Sequence, residues 1–322
     1  MGNYNDGSPE LGDFCRCYLY QSFQKDYADS LKGITTTGYS RPEVLVNTQW
    51  VADHLNDPNV RLLEVGWDTS DFEAGHIPGA VAGWGYADLQ RTDNREIPSK
   101  SEIENMLSLA GISNNDTIVV YGGIGNLIAV MAFWVLKIYG HSDVRLLDGG
   151  REKWLAEGRP LITEKPNART TQYVAQEPNW NLRADKDYVL GAIGQAGQVI
   201  VDARPMDMYT GENTAGMQRG GHVPTAVNIP ASPILNPEGN FQGWQTPTTR
   251  SDGTFKSVEE LRALFSEKGI TPDKNIITYC VRGGLSTHLW FALTQLLGYP
   301  NVREYDHSWA EWGKLADVPV EK

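Results

Sequence analysis

An internal repeat constrains this chain more than any other feature of its sequence. Residues 75–81 (Gly-His-Ile-Pro-Gly-Ala-Val) recur 146 positions later as residues 221–227 (Gly-His-Val-Pro-Thr-Ala-Val), with five of seven identical. Farther along, the residues that follow Tyr121 align without a gap to those that follow Tyr279, at an offset of 158. A period of this length is the size of a domain and is too long for a solenoid repeat. The chain is therefore predicted to be a tandem duplication of one domain.

The change of offset from 146 to 158 indicates twelve extra residues in the second copy. They are predicted to lie in the Pro-, Gly- and Thr-rich stretch at 236–252, either as a solvated loop or as a cover over a ligand site. The stretch at 164–181 is rich in Pro, Asn, Thr and Gln without clear periodicity and is predicted to be a linker; the alignment then leaves an extension at 1–40, a first domain at 41–163 and a second domain at 182–322.

Each copy alternates short apolar strands with helical patterns. In the second copy, one strand ends at Asp202 and another covers residues 275–279. Between them, Ser257 begins a Ser-x-x-Glu capping box and an amphipathic helix that Gly269 ends. A second, mostly apolar helix is predicted to begin at Thr287. This alternation predicts an α/β fold in which each domain is a parallel sheet flanked by helices on both faces.

Composition limits the partners of the chain. Its 28 basic and 40 acidic residues give a net charge of −12, which argues against nucleic acids and anionic membranes. The longest apolar run, at 127–136, is too short to span a bilayer, and no secretory signal is visible, so a cytoplasmic protein is expected. Three cysteines are too few and odd in number to indicate a disulfide framework. The spacing of Cys15 and Cys17 is too short for the cysteine pair of a zinc site.

The loop after the strand at 275–279 is the main candidate for chemistry. It begins at Cys280 and continues Val-Arg-Gly-Gly-Leu-Ser before a helix. Two glycines let backbone N–H groups converge, the helix N-terminus adds partial positive charge, and Arg282 adds a full charge. Such surroundings favour a nucleophilic thiolate beside an anionic ligand. The first copy has Gly122 and Ile124 at the positions of the cysteine and the arginine, so one active site is predicted.

Three motifs give the chain, over roughly residues 41–322, a resemblance to the two-domain rhodanese (thiosulfate sulfurtransferase) family. Asp202-Ala-Arg204 matches the family's Asp-x-Arg, and residues 221–228 match its Gly-His-Ile-Pro-x-Ala-x-Asn. Residues 305–312 match its Tyr-Asp-Gly-Ser-Trp-x-Glu-Trp, with histidine in place of the glycine. Cys280 falls at the position of the family's catalytic cysteine.

The resemblance implies a sulfurtransferase. The cysteine of that family takes a sulfane sulfur from a donor, holds it as a persulfide, and passes it to a thiophilic acceptor such as cyanide or a thiol. No cofactor and no metal are expected. Supporting roles near the cysteine, rather than reacting ones, are expected for Asp202, Arg204, His222 and Trp67, and Trp67 would face the cysteine from the first domain. The residues expected to bind the substrate are Arg282, Gly283, Gly284, Leu285 and Ser286.

The donor is less closely defined, because this loop differs from both the thiosulfate and the 3-mercaptopyruvate members of the family. Arg282 occupies the position of a substrate-binding lysine, whereas Val281 and Met208 stand near positions where thiosulfate members carry arginines. Thiosulfate is the expected donor, with 3-mercaptopyruvate as the alternative. A phosphatase of this fold would need an arginine at Ser286, so its Cys-x5-Arg loop is absent. A persulfide carrier or regulatory binding module is the alternative outside the enzymes.

Overall fold

The computed structural model describes residues 38–167 and 169–322. The predicted extension at 1–40, with Cys15 and Cys17, lies almost entirely outside these residues. Among the helices that are described, none combines the length and the apolar character needed to cross a bilayer.

The first domain is built on a five-stranded parallel sheet. Its strand order is β1-β5-β4-β2-β3. The strands are β1 (Leu45–Val46), β2 (Val60–Val65), β3 (Ala80–Trp84), β4 (Thr117–Tyr121) and β5 (Val144–Leu147). The helices are α1 (Thr48–Asp53), α2 (Ser70–Ala74), α3 (Tyr86–Leu89), α4 (Lys100–Leu109), α5 (Ala129–Ile138) and α6 (Gly150–Ala156), with a 3-10 turn at Pro42–Val44.

The second domain repeats this plan with a four-stranded parallel sheet in the order β11-β10-β6-β7. An isolated parallel bridge between Arg183 and Glu304 stands where the first domain has β1. The strands are β6 (Gln198–Asp202), β7 (Val227–Asn228), β10 (Asn275–Tyr279) and β11 (Val302–Glu304). The helices are α7 (Lys186–Ala192), α8 (Met206–Thr210), α9 (Val258–Ser266), α10 (Gly284–Phe291) and α11 (Ser308–Trp312), with a 3-10 turn at Trp180–Leu182 and a π-helical turn at Ala292–Leu296.

An antiparallel hairpin of β8 (Ser232–Leu235) and β9 (Phe241–Gln245) lies between β7 and α9. It overlaps the stretch at 236–252 where the sequence predicted an insertion. The hairpin packs against the first domain, since a Cβ built on Gly243 would lie 2.7 Å from the Ile124 side chain. Between β9 and α9, the backbone N–H of Phe255 donates a hydrogen bond to Asp148, at 2.9 Å.

The helix predicted to begin at Thr287 begins three residues earlier, at Gly284. Gly283 adopts a left-handed backbone with φ of 88°, which glycine tolerates without strain. The chain therefore turns from the loop into α10 at once, and the residues after Gly284 already have helical orientation. The strands ending at Asp202 and at Tyr279, and the capped helix α9, lie as predicted.

Helices α5 and α10 meet at the boundary between the domains. The rings of Phe133 and Phe291, 158 positions apart, pack edge to face with centroids 4.9 Å apart. Each helix has its own sheet on one side and the other domain on another, so it buries apolar residues all round. This explains the apolar run at 127–136. It also places the loop at the start of α10 on the domain interface.

The predicted linker at 164–181 runs along the first domain where it is described. Thr171 donates its backbone N–H to the carbonyl of Ser108 at 3.0 Å. The Tyr173 hydroxyl lies 2.7 Å from Nδ1 of the buried His141. Its path is therefore fixed by hydrogen bonds to the first domain.

Candidate active site

Cys280 follows directly after β10 and is 2% exposed. Its backbone N–H donates to the Ser308 hydroxyl at 3.1 Å, and its carbonyl accepts the Trp309 N–H at 3.0 Å. The backbone N–H of Gly283 donates to the Cys280 sulfur, with nitrogen and sulfur 3.1 Å apart. A backbone donor and a helix N-terminus thus both face the sulfur, and both stabilise negative charge on it.

The sulfur lies at a cavity of about 90 Å³ between the two domains. A space of this size admits several water molecules or one small anion. Apart from Arg282, its lining is apolar or aromatic. First-domain residues of the lining are Trp67, Tyr86, Leu127 and Ile128. Second-domain residues of the lining are Pro205, Met208, Trp244, Cys280, Val281, Arg282, Gly284 and Leu285.

Arg282 provides the charge of this lining. It is exposed, and its guanidinium forms no ion pair with any residue in the described ranges. A cation at the mouth of an otherwise apolar cavity suits a small anion. Met208 lines the cavity and adds no charge to it.

Tyr86 ties the loop to the first domain. Its hydroxyl oxygen lies 3.0 Å from the carbonyl oxygen of Arg282 and 3.2 Å from Nη2 of Arg95, and it also contacts Oε1 of Gln90. Burial raises the pKa of Tyr86, so the phenol keeps its proton. Nearby, Gln90 donates to the Asp306 carboxylate at 3.0 Å. Groups of the first domain therefore position the cysteine loop of the second.

Asp202 and Arg204 form a fully buried ion pair with Nη2 and Oδ2 2.6 Å apart. Arg204 also donates to the carbonyl of Gly221 at 2.7 Å and lies 4.1 Å from the Trp309 ring. Because the backbone N–H of Trp309 donates to the Cys280 carbonyl, the pair lies close beneath the loop. Neither residue lines the cavity.

His222 also lies outside the cavity. Its Nδ1 is 2.9 Å from the carbonyl of Tyr209, and the two rings stack with centroids 3.7 Å apart. His76 makes the same pair of contacts with Phe72 in the first domain, which has no cysteine at the matching loop. The repetition supports a structural role for both histidines.

Of the residues expected to bind the substrate, Gly283 lies outside the cavity lining, and so does Ser286. Its side chain is fully buried and does not line the cavity, because α10 has already begun and turns this residue towards β11. There the hydroxyl lies 3.1 Å from the carbonyl of Gly283 and contacts the Glu304 carboxyl group. Trp67, which is 56% exposed, is one of the residues that line the cavity.

Several lining residues were not predicted from sequence. Tyr86, Leu127, Ile128 and Pro205 stand in no motif that points to ligand binding. Trp244 could be suspected from sequence, since it lies in the stretch at 236–252 that was predicted as a solvated loop or as a cover over a ligand site. The structure places it in the cavity lining, which favours the covering role.

The corresponding loop of the first domain has another shape. A Cβ at Gly122 would lie 2.1 Å from the carbonyl oxygen of Val65, so a cysteine cannot be accommodated without backbone movement. Ile124 and Asn126 have φ of 53° and 64°, and α5 begins only at Ala129. Only the second domain therefore presents a thiol at this position.

The family follows from comparison with known sequences. A family model described as "Rhodanese-like domain" matches residues 47–157 and 185–315, one match on each sheet. The chain belongs to the rhodanese-like family. The resemblance drawn from the motifs and the predicted fold of two rhodanese domains are both confirmed.

Curated relatives of this rhodanese match along almost their whole length. A protein of Saccharopolyspora erythraea named "Putative thiosulfate sulfurtransferase" is 44% identical over 289 residues, covering 88% of this chain and 97% of its own. The "Sulfur carrier protein TtuD" of Thermus thermophilus is 44% identical over 295 residues, covering 88% and 99%. A "Putative thiosulfate sulfurtransferase" of Mycolicibacterium smegmatis is 42% identical over 289 residues, with 88% and 99% covered.

Solved structures share the fold at lower identity. The anaerobic ergothioneine biosynthesis enzyme of Chlorobium limicola superposes with a TM-score of 0.77 at 22% identity, covering 88% of this chain and 71% of its own. The protein YnjE gives a TM-score of 0.77 at 22% identity, with 88% and 69% covered. At this identity the likeness concerns the tandem rhodanese fold alone.

Proposed function

We propose that this rhodanese is a sulfurtransferase that carries a sulfane sulfur on Cys280, with thiosulfate as donor and cyanide or a thiol as acceptor. The observation that carries the proposal is the buried sulfur with the Gly283 N–H 3.1 Å away, at the start of α10 and beside a cavity. The names of the curated relatives support sulfur transfer as the class of reaction.

The reaction has two displacement steps. The Cys280 thiolate attacks the outer sulfur of thiosulfate, the sulfur–sulfur bond of the donor breaks, and sulfite leaves with the bonding electron pair. The product is a Cys280 persulfide. Cyanide or a thiolate then attacks the outer persulfide sulfur, and thiocyanate or a new persulfide leaves while the Cys280 thiolate is restored. No oxidant, reductant or cofactor enters either step.

Arg282 supports thiosulfate as the donor. Its guanidinium, which forms no ion pair within residues 38–167 and 169–322, can bind the sulfonate end through two parallel N–H donors while the outer sulfur approaches Cys280. 3-Mercaptopyruvate, with one carboxylate, gains less from the same cation and remains the alternative donor. The apolar walls formed by Trp67, Trp244 and Leu285 would restrict the access of water to a persulfide.

A sulfur carrier is the second candidate function. The relative named TtuD is called a sulfur carrier protein. Trp67 and Met206 are each more than half exposed, so apolar surface is open to a larger acceptor near the loop and α8. In that case Cys280 would accept a sulfur atom from the donor, but the protein would transfer it to cyanide only slowly.

Intact mass spectrometry with a turnover assay tests both functions. Incubation with thiosulfate alone should add one sulfur atom per chain, and cyanide should remove it. Cys280→Ser should abolish loading and turnover, whereas Cys15→Ser/Cys17→Ser, the matched control, should leave both nearly intact. Loading without cyanide turnover would favour the carrier. A Cys280→Ser protein that still transfers sulfur would refute both functions.

A further inference from the structure

Glu304, the last residue of β11, is a carboxyl group that the proposed reaction does not use. It is 0% exposed and contacts the hydroxyl groups of Thr278 and Ser286. In the described part of the chain, no lysine, arginine or histidine forms an ion pair with it. A buried carboxylate without a cation is costly, so the protonation state of Glu304 must be accounted for.

The hydrogen-bond donors and acceptors around Ser286 favour a protonated Glu304. The Ser286 oxygen lies 3.1 Å from the Gly283 carbonyl oxygen and also contacts Oε1 of Glu304. One hydroxyl has one proton, so it cannot donate to two acceptors. A protonated Glu304 satisfies both contacts, because it donates to Ser286 and Ser286 then donates to the Gly283 carbonyl, which also accepts the Thr287 backbone N–H at 3.0 Å. Thr278 donates its own proton to the second carboxyl oxygen of Glu304.

The charges around Glu304 agree with this arrangement. Burial, and then the neighbouring sulfur of Cys280, raise the pKa of Glu304 well above its usual value, and Asp306 acts in the same direction. The hydrogen bonds that Ser286 and Thr278 would donate to an ionised Glu304 lower its pKa and so oppose this shift. Asp306 is compensated by Arg183, whose Nε lies 2.7 Å from its carboxylate. A neutral Glu304 avoids placing a second negative charge near the thiolate.

We propose that Glu304 is a positioning residue that holds a proton beneath the Cys280 loop and, through Ser286, keeps Gly283 oriented with its N–H towards the sulfur. The chain of contacts runs from Glu304 to Ser286, then to the carbonyl of Gly283, whose own N–H faces Cys280. The inference rests on the proposed role of Cys280 as the reacting thiol.

Infrared difference spectroscopy tests the protonation state directly. Near neutral pH the wild-type protein should show the carbonyl band of a protonated, buried carboxylic acid that Glu304→Gln lacks. The difference between these two proteins separates Glu304 from the other buried carboxyl groups. If the spectra differ only in carboxylate bands, Glu304 is ionised and the proposal is wrong.

Alkylation of Cys280 by iodoacetamide tests the positioning role without any sulfur donor, in a Cys15→Ser/Cys17→Ser background. Glu304→Gln should keep the rate within about twofold and leave its pH dependence unchanged, since an amide can donate to Ser286 and accept from Thr278. Glu304→Leu should slow alkylation about tenfold, equivalent to about 1.4 kcal/mol.

The two hydroxyl partners provide a matched pair of variants. Ser286→Ala breaks the link to Gly283 and should slow alkylation as Glu304→Leu does. Thr278→Val removes a hydrogen bond of similar burial without breaking that link, and should have a much smaller effect. Equal effects of the two variants would overturn the positioning role. So would a shift of the alkylation profile to lower pH in Glu304→Gln, because it would show that Glu304 is negatively charged in the wild type. Because iodoacetamide replaces the donor, these outcomes do not depend on whether thiosulfate is used.

Discussion

Arg282 is expected to contribute to donor selection through its charge. The residue is exposed at the mouth of the cavity, so its attraction for a bound anion is screened by water. In bulk water two unit charges about 4 Å apart interact by about 1 kcal/mol, and thiosulfate carries two negative charges. Arg282→Ala should therefore cost about 2 kcal/mol of transition-state binding, or about thirtyfold in kcat/KM for thiosulfate at low salt.

The same arithmetic predicts a smaller effect for 3-mercaptopyruvate. It carries one carboxylate, so the loss should be about 1 kcal/mol, or about fivefold. At about 1 M salt the Debye length falls to about 3 Å, and most of both losses should disappear. Arg282→Lys should retain most of the thiosulfate activity if charge dominates, and less if paired N–H donors matter.

Steady-state kinetics with both donors, at low and high salt, measures these ratios. Arg262→Ala, which removes another exposed arginine on α9, is the matched control and should change neither donor by more than about twofold. Equal losses for the two donors would refute the charge argument. An unchanged thiosulfate rate in Arg282→Ala would show that the donor is not bound at this cation.

Three further predictions follow from the lining, the repeat and a buried carboxyl group. Trp67 lines the cavity, so fluorescence should change when sulfur loads onto Cys280, and Trp67→Phe should reduce that change whereas Trp180→Phe should not. Gly122→Cys should destabilise the fold by about 2 kcal/mol or more, because its Cβ meets the Val65 carbonyl, while Gly191→Cys, where nothing lies within 4 Å, should not; urea unfolding measures both. Burial raises the pKa of Asp148 to about 7, so the folded chain binds this proton more tightly than the unfolded chain and stability should fall as the pH rises from about 4 to about 7. Asp148→Asn should remove that slope in unfolding experiments, and an unchanged slope would mean that another group causes it.

The repeat made most of the fold predictable. Strands ending at Asp202 and Tyr279, and the helix capped by Ser257, depend on local patterns that the structure reproduces. The start of α10 was predicted three residues late, because a Gly-Gly pair usually indicates a loop. Here only Gly283 needs the left-handed backbone, and Gly284 is already helical.

The cavity lining was less predictable, because it depends on how the two domains pack. Cys280 and Arg282 could be selected by their position after a strand. Tyr86 could not, since its role depends on the 3.0 Å contact with the carbonyl of Arg282, almost 200 residues away. Ser286 was expected to face the substrate because α10 was predicted to begin after it. The helix begins at Gly284 instead, and this turns the Ser286 side chain into the interior.

The asymmetry of the two repeats explains why the site requires both domains. In the first domain the contact between Gly122 and the Val65 carbonyl excludes a side chain where the second domain has its cysteine. The residues that follow, Leu127 and Ile128, instead form part of the wall around Cys280. The equivalent loops thus meet across the domain interface, where one presents the thiol and the other covers it with apolar surface. The first-domain loop therefore has a role although it carries no cysteine. Its Leu127 and Ile128 side chains help to enclose the sulfur together with residues of the second domain.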